Sequence, residues 1–321
     1  MSIKERLSRV PTPLGGLALG TASLGGAWAL VLPEISAELK LAFAAVPALL
    51  ILKILSKFIL HHRLIKEELS HPVLSSVMPT WAMTSMVVAQ ALLHWFPIFA
   101  RALWLIAIGF HIVLLAGFII FRTRDFKFHH MVPSWFVPPV GIIVAAVTST
   151  GMNFPQLTWI LFLFGFVCYL IKLPLMMHRL MFHPSISDAA LPTFAIMGAP
   201  ASLSLAGYLS IVPTDPNLTF LVLLTPLALF MTVLVYIALL HLLRLPFSPG
   251  YAAFTFPLVI SSIALLKVED YLITCRIESL AILSGNIAFI ELIIATLMVF
   301  YVTWRYIWHY FGRSVFRPAN A

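Results

Sequence analysis

Ten apolar stretches, each long enough to cross a lipid bilayer, leave this chain almost nothing from which to build anything else. They run roughly over 13–32, 40–60, 73–93, 98–121, 132–151, 156–176, 189–211, 217–240, 248–268 and 279–303 of the 321 residues. About 20 apolar residues suffice to span a hydrocarbon core. Only 10% of the residues are charged and 61% are hydrophobic, and a water-soluble fold of this size could not cover its surface with so few charges. The expectation is an all-α integral membrane protein, with residues 1–321 forming a single transmembrane domain. The basic stretch Met1–Val10 runs into a full-length apolar segment without a small-x-small cleavage pattern, so that segment is expected to stay as the first span. Cys168 falls within a span and Cys275 in a loop, which supports no disulfide framework.

The formal net charge of +8 reports orientation in such a chain. Ten spans put both termini on one side. Fifteen lysines and arginines fall there, among them Lys57, Arg122, Lys172, Arg179, Arg305, Arg313 and Arg317. Four fall opposite: Lys40, Arg101, Lys267 and Arg276. The bias assigns both termini to the cytoplasm. The basic residues are scattered at span ends, with no basic tail and no aromatic-studded loop, so no nucleic-acid partner is expected.

The spans alternate in kind. Gly, Ala, Ser and Thr make up 47 of 105 residues in the odd spans and 26 of 115 in the even ones. Small residues let helices pack closely or line a path, whereas bulky aliphatic and aromatic residues suit a lipid-facing surface. A second mark recurs near the starts of odd spans: Pro79-Thr80-Trp81, Pro133-Ser134-Trp135, Pro192-Thr193-Phe194 and Pro249-Gly250-Tyr251, spaced 54, 59 and 57 residues apart. Pro139, Pro200 and Pro257 follow deeper in three of these spans. The period reads as five repeats of a helical hairpin. The expected architecture is ten transmembrane helices as five hairpins in a ring, odd helices inner and lining a pore, even helices outer. Backbone broken by proline is tolerated at membrane depth where it is buried or lines a cavity. Close packing alone would also account for the small residues.

Ionisable residues within spans are the first candidates for function. Among odd spans only Lys267 qualifies, at the end of the ninth; even spans hold Lys53, His111, Lys172 and Glu291. Inner helices without a carboxylate or histidine favour a passive conduit over a proton-driven pump. In a closed ring Lys53 and Glu291 could approach each other, although a structural role is the weightier expectation for both. Ten of the eleven histidines lie in loops or near span ends. The chain has no H-E-x-x-H, CxxC or CxxCH motif, so no metal, cofactor or catalytic residue is expected. The doublets His61-His62 and His129-His130 share one side, where proton sensing is a further reading.

The most specific local feature is Tyr251-Ala252-Ala253-Phe254-Thr255-Phe256-Pro257. Proline biases the preceding residue away from the helical region, which places Phe256 at a helix break on an inner span. A ring at a narrow place blocks a path by filling it and repelling water. With 25 phenylalanines in the chain, an ordinary packed ring is the weightier expectation from position alone.

At this motif, and in its ten spans of alternating kind, the chain resembles the tellurite-resistance/dicarboxylate transporter family. That family includes bacterial TehA proteins, plant slow-type anion channels and fungal malate and sulfite transporters. The resemblance implies an anion channel or channel-like transporter in a bacterial inner membrane. It implies a homotrimer with one pore per subunit, closed by a phenylalanine whose position here is Phe256, with Pro257 holding the kink. Partners would be small inorganic or organic anions and membrane lipids. The short tails put the kinase regulation of plant members in doubt. The small residues Gly16, Gly20, Ser85, Gly141, Ala145, Ser202, Ser204 and Ser261 are expected in the pore wall. Charge physics leaves the ion's sign open, since freed carbonyls favour cations and helix N-termini favour anions. Two alternatives remain: a proton-coupled carrier for C4-dicarboxylates or exporter of oxyanions such as sulfite or tellurite, and a haem-containing membrane redox protein.

Overall fold

The computed structural model describes residues 3–312, and among them all regular structure is helical. Arg313 and Arg317 lie outside the described residues. Nine segments are long and apolar enough to cross a membrane. We number them with a tenth, shorter one in chain order: α1 (Leu14–Val31), α2 (Pro33–Leu60), α3 (Pro72–Leu92), α4 (Pro97–Arg124), α5 (Pro133–Val147), α6 (Pro155–Phe182), α7 (Leu191–Ile211), α8 (Leu218–Leu242), α9 (Pro249–Thr274) and α10 (Glu278–Tyr310). The segment expected over 132–151 is the short one. It stops at Val147, ahead of a turn in which Gly151 takes φ +80°, a conformation that ends a helix and suits glycine.

The two kinds of span separate by burial. Within the most apolar stretch of each, 61% to 83% of residues are buried in α1, α3, α7 and α9, against 28% to 39% in α2, α4, α6, α8 and α10. Hydrophobic exclusion does not drive this division, because the less buried outer spans are the more apolar. Small residues do: in lipid, helices associate through close packing rather than hydrophobic exclusion. The outer spans turn large side chains outward, such as Ile98 and Leu240. The inner spans touch in the order α1, α3, α5, α7, α9, and α9 returns to touch α1. Each also packs against the outer span that follows it in the chain.

Four inner spans are interrupted near their starts. In α3 helix Pro72–Val77 gives way at Met78-Pro79 to helix Thr80–Leu92. α7 opens with the 3-10 helix Leu191–Gly198, and α9 with the 3-10 helix Pro249–Phe254. α5 alternates short 3-10 and α turns throughout. Proline explains much of this, since it donates no hydrogen bond and crowds the preceding turn. Position also matters: Pro47, Pro174 and Pro226 sit inside outer helices that continue past them.

In α9 the break falls at Thr255 (φ −90°, ψ −75°), one residue before the expected place. Phe256 begins the α-helix Phe256–Thr274, with Pro257 in its first turn. There the missing N–H would have had no helical partner in any case.

Candidate functional site

The starts of the inner spans and the ends of the outer ones gather most of the basic residues, so this is called the basic end here. A cavity of about 560 Å³ lies there. All five inner spans or the segments leading into them contribute to its wall, through Pro13, Val77, Val137, Thr193 and Pro249 among others. Deeper lies a second space of about 50 Å³, sharing Gly16, Thr80, Val137, Ile196, Ala252 and Ala253 with the first. Its wall comes only from inner spans. Gly16 and Leu19 enter from α1, Met83 from α3, Phe136, Val140 and Gly141 from α5, Pro200 and Leu203 from α7, and Phe256 and Pro257 from α9. Thr80 supplies its one hydroxyl. The larger space carries Lys57, Glu68 and His71 in its wall, whereas the smaller one is almost wholly apolar.

Phe256 is 8% exposed and forms part of the wall of that smaller space. Its backbone is held from behind. A Cβ on Gly20 would collide with Thr255 and come within 2.9 Å of the Phe256 nitrogen, so only glycine lets α1 lie this close. Gly15 meets α3 in the same manner, its would-be Cβ 2.6 Å from the Thr80 hydroxyl. Hydroxyls reinforce both contacts. Thr255 Oγ1 reaches the Gly16 carbonyl at 3.1 Å, and Thr84 Oγ1 reaches the Gly15 carbonyl at 3.1 Å.

Of the residues expected in the pore wall, Gly16 and Gly141 meet at the smaller space, together with Phe256 and Pro257, which were expected at the gate. Gly20, Ser85, Ala145, Ser202, Ser204 and Ser261 lie outside the walls of both cavities. Gly20 serves the α1–α9 contact. Ser85, Ser202 and Ser204 donate to their own helices, at the carbonyls of Trp81 (2.9 Å), Gly198 (3.1 Å) and Pro200 (2.7 Å). Ala145 is fully buried in the core. Ser261 pairs with Thr232 of outer span α8 at 2.8 Å. Phe136 was missed by the sequence reading, although it adjoins the repeated Pro133-Ser134-Trp135 mark.

Two of the ionisable residues within spans, His111 and Lys172, bond to backbone carbonyls. Lys53 is exposed while Glu291 is 4% exposed, and no ion pair joins them. Lys57, one turn further, is the buried lysine: it pairs with Glu68 and donates to the Val10 carbonyl at 2.8 Å and to Thr12 Oγ1 at 3.0 Å. His111 Nε2 donates to the Pro138 carbonyl at 2.8 Å. Lys172 Nζ donates to the Trp135 carbonyl at 2.8 Å. The residues three and four places after Trp135 are Pro138 and Pro139, so that carbonyl has no helical donor and needs one from outside.

A wider pattern emerges among the cations at the basic end. Near its last turn an outer span reaches back to the segment leading into the inner span before it. Lys57 of α2 holds the Val10 carbonyl ahead of α1. Arg122 of α4 holds the Ser70 carbonyl ahead of α3. Arg179 of α6 holds the His129 carbonyl ahead of α5 at 2.9 Å. In α10 Arg305 lies 5.5 Å from the rings of both Phe247 and Tyr251, and Tyr306 donates to the Pro249 carbonyl at 2.5 Å. These charges were read from sequence only as markers of orientation. His130, in the same region, is held below the ordinary histidine value, first by burial and then by the charges of His129 and Lys127.

Among the described residues no group of three or more His, Cys, Asp or Glu is placed to hold a metal. Residues 10–307 match the model of a family described as voltage-dependent anion channel. Two uncharacterized transporters of Methanocaldococcus jannaschii are 28% and 27% identical to this chain, over 219 and 223 residues. Each match covers 60% of this chain and 63% or 62% of the relative, so less than two thirds of either relative's length.

Proposed function

The chain belongs to the voltage-dependent anion channel family, a family of integral membrane channels and transporters rather than enzymes, and from that premise we propose that it conducts small anions along the axis of its inner spans. In this reading five hairpins form a ring. The large cavity at the basic end is the vestibule, which faces the cytoplasm of a bacterial cell. The narrow space beneath it is the closed constriction, and the ring of Phe256 is the plug. Gly16, Gly141 and Pro257 form the wall around it. As in the resembling family, the assembly would be a trimer with one path per subunit.

One observation carries the reading. The smaller of the two spaces is lined by all five inner spans and by no outer one, and Phe256, which follows the helix break at Thr255, is part of its wall. The first turns of the inner spans surround the vestibule, and the exposed N–H groups of helix starts favour negative charge. The walls of the narrow space carry no carboxylate or histidine, which suits a path that does not depend on protonating the protein.

Planar-bilayer or whole-cell recording of wild type against Phe256→Ala tests it. Wild-type currents are expected to be small, and the variant's to be roughly tenfold larger or more as the dewetted constriction widens, with reversal following an anion gradient. Unchanged current would remove Phe256 as the plug, and reversal at a cation potential would remove the anion. Because the relatives named above are called transporters, the second reading is a carrier for dicarboxylates or oxyanions. Saturating flux that depends on a proton gradient would favour it.

A further inference from the structure

The geometry points to Lys57 and Glu68 as the charge control of the vestibule: Glu68 masks the one fixed cation on the anion's way in, and so sets the rate at which anions are admitted. This rests on the reading of the axial space as an anion path. Both residues line the large cavity, and among the described residues they are the only Lys, Arg, Asp or Glu in the walls of either cavity. Lys57 is 3% exposed and Glu68 12%. The ammonium donates to Glu68 Oε1, to the Val10 carbonyl and to Thr12 Oγ1, while the Thr12 hydroxyl donates to Glu68 Oε2. His71, the remaining titratable group in the wall, uses Nδ1 to accept the N–H groups of Val73 and Leu74, both at 3.2 Å.

The vestibule wall therefore holds one positive and one negative charge, and their sum is zero. A cleft with low-dielectric walls focuses the field of whatever net charge it carries, which changes the local concentration of a mobile ion. Removing either partner leaves the cleft with a net sign. A purely structural pair would show another signature. It ties the segment before α1, the end of α2 and the short helix Arg63–Ser70 together, so losing either partner would harm function in the same direction. A charge control moves anion flux in opposite directions.

The test is made in the full chain carrying Phe256→Ala, so that a current is present before the vestibule is altered. Glu68→Gln keeps acceptor and shape and unmasks Lys57. It is expected to raise anion current by roughly two- to fivefold at low salt, a part of the effect of a wholly basic cleft. Lys57→Met leaves Glu68 unpaired and is expected to lower the current by a similar factor, with the doubly neutral variant between them. Both changes should shrink as ionic strength rises and the Debye length falls. Two single variants that both lower the current, or effects insensitive to salt, would overturn the proposal. If Phe256→Ala alone carries no anion-selective current, the functional reading fails instead, and the two failures are distinct. Should the single variants not fold, Ser187→Cys on the exposed wall of the same cavity offers another route. A cationic thiol reagent there is expected to raise the current and an anionic one to lower it. No response of either sign would count against charge control.

Discussion

The two halves of the inner spans draw on the same small residues and use them in opposite ways. In the half nearer the basic end the backbone of α3, α5, α7 and α9 is broken and the larger cavity lies there, while the smaller one is also walled by Met83, Pro200, Leu203 and Phe256 of the far half. In the far half the chain runs as regular α-helix, over Thr80–Leu92, Ala199–Ile211 and Phe256–Thr274. Serines of the far half return their hydroxyls to their own helix, as Ser204 does to Pro200 and Ser262 to Val259. The near half depends on others: Lys172 serves the Trp135 carbonyl and His111 the Pro138 carbonyl. Broken helix is thus affordable only where neighbouring helices supply the missing donors. The same break keeps the segments from closing on one another, which leaves room for a cavity.

Beyond Phe256→Ala, substitutions at three positions would break or sharpen this contrast. Gly20→Ala should do the most harm, because its Cβ meets Thr255 and the Phe256 backbone rather than a flexible side chain end. A cost of about 1–3 kcal/mol is expected for such overpacking, read as a lower midpoint of thermal unfolding in detergent. An unchanged midpoint would mean that α1 and α9 can part freely. Lys172→Met leaves a carbonyl without a donor and should cost about 1–2 kcal/mol; Lys172→Arg, which keeps a donor, should recover part of it in the same melt. Ser204→Ala removes a hydroxyl from a carbonyl that its own helix already serves. It should cost less than about 0.5 kcal/mol. If it cost as much as Lys172→Met, the two halves would not differ as argued.

Much of the fold could be read from the residues. The apolar runs and the alternation of small and bulky spans anticipated which helices are buried, because close approach excludes side-chain bulk. The repeated proline mark located the irregular starts. It also hinted at their upkeep: Thr80 and Thr193 donate back to the carbonyls of Val77 (2.7 Å) and Ala190 (2.6 Å), and Ser134 meets Ser76 at 2.6 Å. The candidate site was less legible. Composition told a small residue's span but not its face, so Gly16 and Ser261 looked alike. One meets the cavities and the other meets α8. Phe136 carried no signal beyond its neighbourhood. The pairing of Lys57 with Glu68 had none, because the connection between α2 and α3 had to fold back before they could meet.

The sequence alone determined that this chain is a bundle of membrane-crossing helices, and which of them are shielded, since lipid tolerates only backbone that satisfies itself and small residues alone allow close contact. Tertiary structure decided where the two cavities lie, which residues line them, and which lysine pairs with Glu68. Those outcomes depend on the rotation of each helix about its axis and on contacts between residues far apart in the chain. Periodicity and composition do not encode either one.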